Sequence, residues 1–202
     1  MANQLGLYQK VLETFTDDAK QALVVAQEKA HEAELNYVGT EHLLIGILSQ
    51  YGSSGWDILT RSGASLYNVD LALKTERREP QVMSNEEFSG LSDSAKQAVE
   101  GAILCAHDFG HTSVGTTHLL FALCSQEETA FTVMLENMKV NLHDLKKEVV
   151  LVLKNNSDGG ATSPTLVHTT PPGTGGAAAA MAEHHSHLKE FFTLHKTKWL
   201  AG

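Results

Sequence analysis

Long apolar runs are missing from this chain of 202 residues, and none approaches the roughly 20 residues that a membrane-spanning helix needs. The first residues, Met1-Ala2-Asn3-Gln4-Leu5, lack the basic start and apolar centre of a secretory signal. Cysteine is scarce. The two present, Cys105 and Cys124, fall in helical patterns and offer no disulfide framework, so a reducing cytoplasm is the expected compartment, with plastid stroma as the alternative if a transit peptide has been removed. Positive charge is also short: 15 Lys and Arg against 24 Asp and Glu give a formal net charge of -9. That balance argues against nucleic-acid binding, whose affinity comes largely from cations neutralising phosphates. The one basic cluster, Arg77-Arg78, sits between Glu76 and Glu79.

Signatures of catalysis are absent as well. No Gly-Lys dipeptide occurs, which excludes the phosphate-cradling loop of nucleotide hydrolases. There is no G-x-S-x-G elbow and no C-x-x-C pair. His31-Glu32-Ala33-Glu34-Leu35 begins like H-E-x-x-H, but Leu35 stands where the second imidazole must be. The expectation is therefore no enzyme, no cofactor and no metal. Of 11 histidines, His184, His185 and His187 form the one close cluster. With no supporting partners in view, they leave a metal- or effector-responsive helical binding protein as a minor alternative.

What the chain does have is a duplication. Val38-Gly39-Thr40-Glu41-His42-Leu43-Leu44 returns as Val114-Gly115-Thr116-Thr117-His118-Leu119-Leu120. Laying 15–74 over 91–150 needs no gap and gives about 18 identities in 60 positions. Such a period is too long for one solenoid unit and implies two similar helical units packed face to face. His31/His107 and His42/His118 recur with it, as structural histidines would, and a histidine one turn into a helix can bridge to neighbouring backbone.

Apolar spacing gives the elements. Leu5, Tyr8, Val11 and Leu12 suggest a leading helix in 1–14. Thr16-Asp17-Asp18 starts a helix whose stripe of Ala19, Ala22, Leu23, Ala26, Ala30 and Ala33, mostly alanine, implies close helix–helix approach. Thr40 is the expected N-cap of a second helix, broken by Gly52 and Gly55. Short helices follow around 56–61 and 66–75, and the second repeat copies the plan at 92–109, 116–126, 129–137 and 141–154. The expectation is an all-α fold of eight core helices without a strand of consequence: repeat 1 at 15–74, a linker at 75–90, and repeat 2 at 91–154. A Gly- and Pro-rich stretch at 155–177 reads as a flexible tether. Beyond it, Met181, Leu188, Phe191, Phe192, His195 and Trp199 make 178–202 an amphipathic helix, either folded back on its own domain or docked on a partner.

Glu41 is the informative position. At a helix N-terminus, free N–H groups can receive an anion while an adjacent carboxylate accepts a guanidinium. A phosphorylated arginine carries both charges. The alternative is that Glu41 only complements the helix dipole, and spacing alone favours that reading.

Phe15-Thr16-Asp17-Asp18-Ala19, Ala26-Gln27-Glu28 and the run Asn36 to Leu48, in tandem, resemble the N-terminal domain of Clp chaperone ATPases of the ClpC type over about 15–154. The resemblance implies two pseudo-symmetric four-helix units and no catalysis. It also implies reception of adaptors and substrates for a Clp ring, including phosphoarginine-marked proteins, with the glutamate of the G-T-E-H motif on the arginine group. Glu41 matches that glutamate and, with Thr40, makes the candidate ligand site. Thr117 replaces it in repeat 2, so Thr116 and Thr117 form a degenerate counterpart. The ATPase modules of the family are not in this sequence. By that likeness the chain would be a non-catalytic accessory or adaptor of the Clp system, with Leu188, Phe191, Phe192 and Trp199 docking on Clp ATPase or protease subunits; the alternative is a decoy for ClpC ligands.

Overall fold

The computed structural model describes residues 13–75 and 90–155. Apart from end residues, the expected leading helix, linker, tether and C-terminal helix lie outside them. In repeat 1 the order is α1 (Asp17–Glu32), β1 (Tyr37–Val38), α2 (Thr40–Leu48), α3 (Ser54–Arg61) and α4 (Leu66–Thr75). Repeat 2 follows with β2 (Gly90–Leu91), α5 (Asp93–Asp108), α6 (Thr116–Cys124), α7 (Ala130–Asn137) and α8 (Leu142–Asn155). These are the eight expected helices, arranged as two pseudo-symmetric units.

Local chemistry starts each of them. The Thr16 and Ser92 hydroxyls accept the N–H groups of Ala19 and Ala95, and Asp17, Asp18 and Asp93 place negative charge at the positive end of each helix. The buried face of α1 is Ala19, Ala22, Ala26 and Ala30. With so little side chain there, α2 comes so close that a Cβ on Gly46 would overlap the carbonyl oxygen of Ala22.

Two sequence expectations are corrected here. Gly39, not Thr40, is the N-cap of α2, because His42 Nδ1 accepts the Gly39 N–H at 2.9 Å and performs the capping from within the first turn. Gly115 and His118 repeat the arrangement at 2.9 Å. These two histidines do bridge to backbone, whereas His31 and His107 stand exposed near the ends of α1 and α5. The second correction concerns Gly55, which breaks no helix. It lies in the first turn of α3, where a Cβ would sit 2.9 Å from the Thr116 side chain and 3.0 Å from Ile47.

All nine residues of α2 are buried, as are all those of α6 except Phe121. A helix covered on every side belongs at the centre of a fold. The recurring His-Leu-Leu motif is thus core, and each of its leucines contributes roughly 1.5–3 kcal/mol by leaving water. Around this pair, α1 and α4 pack on α2, α5 and α8 on α6, and the repeats meet where α3 touches α6 and α8, and α7 touches α2.

Candidate recognition site at the seam between repeats

The strands, though only two residues long, decide how the seam is built. β1 pairs in parallel with β2, Tyr37 opposite Gly90 and Val38 opposite Leu91, while Phe15 bridges to Val114. Each repeat's loop before its central helix is therefore bonded to the segment leading into the other repeat's first helix. The Ser92 N–H donates to the Val38 carbonyl at 2.8 Å, and the Thr16 N–H to the Val114 carbonyl at 2.9 Å. Those bonds hold the N-terminus of α5 against the loop of repeat 1 and that of α1 against the loop of repeat 2.

A second exchange involves the threonines of the motif. Thr40 Oγ1 accepts the Phe131 N–H at 3.2 Å, and Thr116 Oγ1 accepts the Gly55 N–H at 3.1 Å. Each hydroxyl satisfies a first-turn donor of a helix in the opposite repeat, one of the four that the helix itself leaves unbonded. Thr40 is 2% exposed and Glu41 3%. The Glu41 side chain folds back so that its carboxylate occupies the space a Cβ on Gly39 would need, with Oε1 3.7 Å from His42 Nδ1. In repeat 2, Thr117 is buried in the equivalent place, and the nearest atoms to a Cβ on Gly115 are His118 Nδ1 at 3.7 Å and Thr16 at 3.8 Å. The seam is symmetric in its backbone and asymmetric in charge, because the first turn of α2 carries the carboxylate of Glu41 and that of α6 carries Thr117.

The sequence reading names Thr40 and Glu41, which lie at the start of α2, and Thr116 and Thr117 at the start of α6, but misses the cross-repeat partners of this seam: Phe131 on Thr40, Gly55 on Thr116 and Ser92 on Val38. A signal existed for Ser92, which aligns with Thr16 as the other cap of the duplication. Phe131 and Gly55 take part through backbone N–H groups, so their side chains carry no signal. His111 was missed as well. Its Nδ1 lies 2.6 Å from His118 Nε2, where repeat 1 has Leu35.

Burial, and then the neighbouring His111, lower the pKa of His118 from 6.5 to about 4. Burial likewise pushes the thiols of Cys105 and Cys124 up to about 12, so neither is a ready nucleophile. Among the described residues no group of three or more His, Cys, Asp or Glu is placed to hold a metal, and no helix is long and apolar enough to cross a membrane. His184, His185, His187, Leu188, Phe191, Phe192 and Trp199 lie outside the described residues.

Comparison with known proteins accords with this architecture. The family described as the Clp repeat (R) N-terminal domain matches twice, over residues 14–89 and 90–189. A probable ATP-dependent Clp protease ATP-binding subunit of Chlamydia pneumoniae is 30% identical over 151 residues, which cover 71% of this chain and 17% of that protein. The chloroplastic chaperone protein ClpC3 of Oryza sativa subsp. japonica is 30% identical over 140 residues, 69% of this chain and 15% of its own length. The chain thus matches about a sixth of the length of these relatives. The N-terminal domain of the chaperone ClpD from Arabidopsis thaliana has the same fold, with a TM-score of 0.60, 20% identity, and coverage of 71% of this chain and 96% of that one. Two central helices built on a recurring motif, exchanged loop pairings and a twofold family match all describe one thing: this chain belongs to the Clp repeat N-terminal domain family.

Proposed function

We propose that the chain is a non-catalytic recognition module of the Clp chaperone–protease system, receiving adaptor or substrate proteins without unfolding them. The observation that carries this reading is the seam, where a single buried carboxylate lies against the first turn of α2 and next to the Val38–Gly39 loop that holds the N-terminus of α5. Backbone N–H groups at helix starts favour an anion, and a carboxylate beside them favours a guanidinium. A phosphorylated arginine on a partner protein supplies both, as the likeness to ClpC-type domains implies.

In this reading Glu41 receives the guanidinium and first-turn N–H groups receive the phosphate. The Thr40 side chain acts indirectly by fixing α7 through Phe131. Because Glu41 is 3% exposed, ligand entry requires the Gly39–Glu41 turn to open, and apparent affinity falls in proportion to the open fraction. Repeat 2, with Thr117, binds the guanidinium weakly or not at all. Calorimetric titration of phosphoarginine into the wild type and Glu41→Gln tests the site: weaker binding in the variant is expected, and equal affinity would return Glu41 to a structural role. Co-purification with Clp ATPase and protease subunits tests the accessory role separately.

A further inference from the structure

The pseudo-symmetry is broken at a second place, and there it leaves a groove. In one half, Arg61 on α3 bonds Glu148 on α8 at 3.0 Å and ties the two helices together. The aligned positions in the other half are Asn137 on α7 and Ala72 on α4, which cannot form an ion pair. Between α4 and α7 lies a cavity of about 260 Å³ lined by Asn68, Val69, Ala72, Met134, Asn137 and Met138. Leu71 and Val133, on the same two helices, are about half exposed at 46% and 47%. Methionines and small aliphatics make an adaptable apolar wall suited to aromatic side chains.

We propose that the chain's own segment 178–202 occupies this groove in the resting protein, with Phe191, Phe192 and Trp199 as its anchors. Two observations select that occupant. The segment has large apolar residues at helical spacing, the pattern that fills such grooves. Reach is sufficient. α8 ends at Asn155, roughly 20 Å along its axis from Leu142, and Leu142 closely follows the groove residue Met138. The 22 intervening residues, 156–177, rich in Gly, Pro, Ser and Thr, have a root-mean-square span of about 26 Å. By contrast, 76–89 has one aromatic residue, Phe88, and 1–12 has one, Tyr8, so neither supplies a set of aromatic anchors.

A tethered segment at an effective concentration on the order of 1 mM fills about nine-tenths of a groove whose Kd for the free peptide is about 0.1 mM. The groove is then shut to external apolar helices until a stronger ligand displaces the segment, which amounts to a built-in competitor.

The test uses the full chain with 13C-methyl methionine, whose five methyl groups include Met134 and Met138 on the groove and Met181 on the segment. Replacing Phe191, Phe192 and Trp199 together by Ala should shift the Met134 and Met138 signals. A synthetic 178–202 peptide should bind this variant about 10-fold more tightly than it binds the wild type, and return both signals toward their wild-type positions. Signals unmoved by the triple change would overturn the proposal, as would equal peptide affinity for the two proteins. Shifts in the wild type that grow with protein concentration would assign the groove to a second copy and equally overturn it.

Discussion

Thr40 holds Phe131, 91 positions away, through a single 3.2 Å bond from the Phe131 N–H to its hydroxyl oxygen, and Thr116 holds Gly55 in the same way at 3.1 Å. Both bonds are buried and both cross between repeats, so they belong to the assembly of the two halves and not to either alone. Replacing either threonine by valine keeps the shape and strands a buried N–H group. Thr40→Val and Thr116→Val are each expected to lose about 1–3 kcal/mol in urea unfolding. Unchanged midpoints in both variants would mean that the freed N–H groups find other acceptors, and the bonds would drop out of the account of the seam.

Helix ends give a second prediction. Glu34 (φ 56) and Lys139 (φ 59) adopt the left-handed conformation where the other repeat has Gly110 (φ 71) and Gly63 (φ 95). All four positions are followed by a residue whose N–H reaches back to the helix: Leu35 to Ala30, His111 to Ala106, Ala64 to Leu59 and Val140 to Leu135. This is the bonding that favours glycine. Glu34→Gly and Lys139→Gly should each stabilise the protein by about 0.5–1 kcal/mol, since relief of left-handed strain exceeds the added freedom of the unfolded chain. Gly63→Ala and Gly110→Ala should each cost about 1 kcal/mol. Thermal midpoints that move the opposite way would show that turn strain is not what separates the repeats.

Much of this was legible in the letters because the duplication repeats them. Ala19, Ala22, Ala26 and Ala30 announced a tight helix contact, and His42 and His118 announced backbone bridging. The seam was less legible, for physical reasons. Gly55 and Phe131 share nothing as side chains and meet the motif threonines through their N–H groups alone. A two-residue strand has too few residues to show alternation, so the Val38–Leu91 pairing left no pattern. Glu41 reads as a surface charge at a helix start, and only the fold shows it turned inward over Gly39.

Two glycines that look alike in sequence should respond differently to alanine. A Cβ on Gly46 meets the backbone of Ala22, which cannot yield without separating α1 from α2. A Cβ on Gly101 meets the Ala122 methyl at 3.1 Å, a contact relieved by a shift of a few tenths of an ångström. Gly46→Ala is expected to cost about 2 kcal/mol or more as overpacking. Gly101→Ala should be near neutral, because better helix propensity, worth about 1 kcal/mol, offsets the crowding. Similar losses in the two variants would argue that neither contact is as tight as the helix spacing indicates.

The histidine pair of repeat 2 predicts acid sensitivity. His118 Nδ1 accepts the Gly115 N–H at 2.9 Å, which leaves the ring proton on Nε2, facing His111 Nδ1 at 2.6 Å. Protonating His118 would put a proton where the Gly115 N–H already points. The folded pKa, about 4, is below the unfolded value near 6.5, so the folded state binds fewer protons between those limits. The contribution is therefore fully present above about pH 6.5 and drains away as pH falls toward 4, by about 3 kcal/mol in total. His118→Asn keeps an acceptor near Gly115 without a titrating ring. Its unfolding free energy should fall less steeply between pH 6.5 and 4 than that of the wild type, by up to one proton's slope. Parallel pH profiles for the two proteins would assign the acid response to other groups and leave His118 as a cap alone.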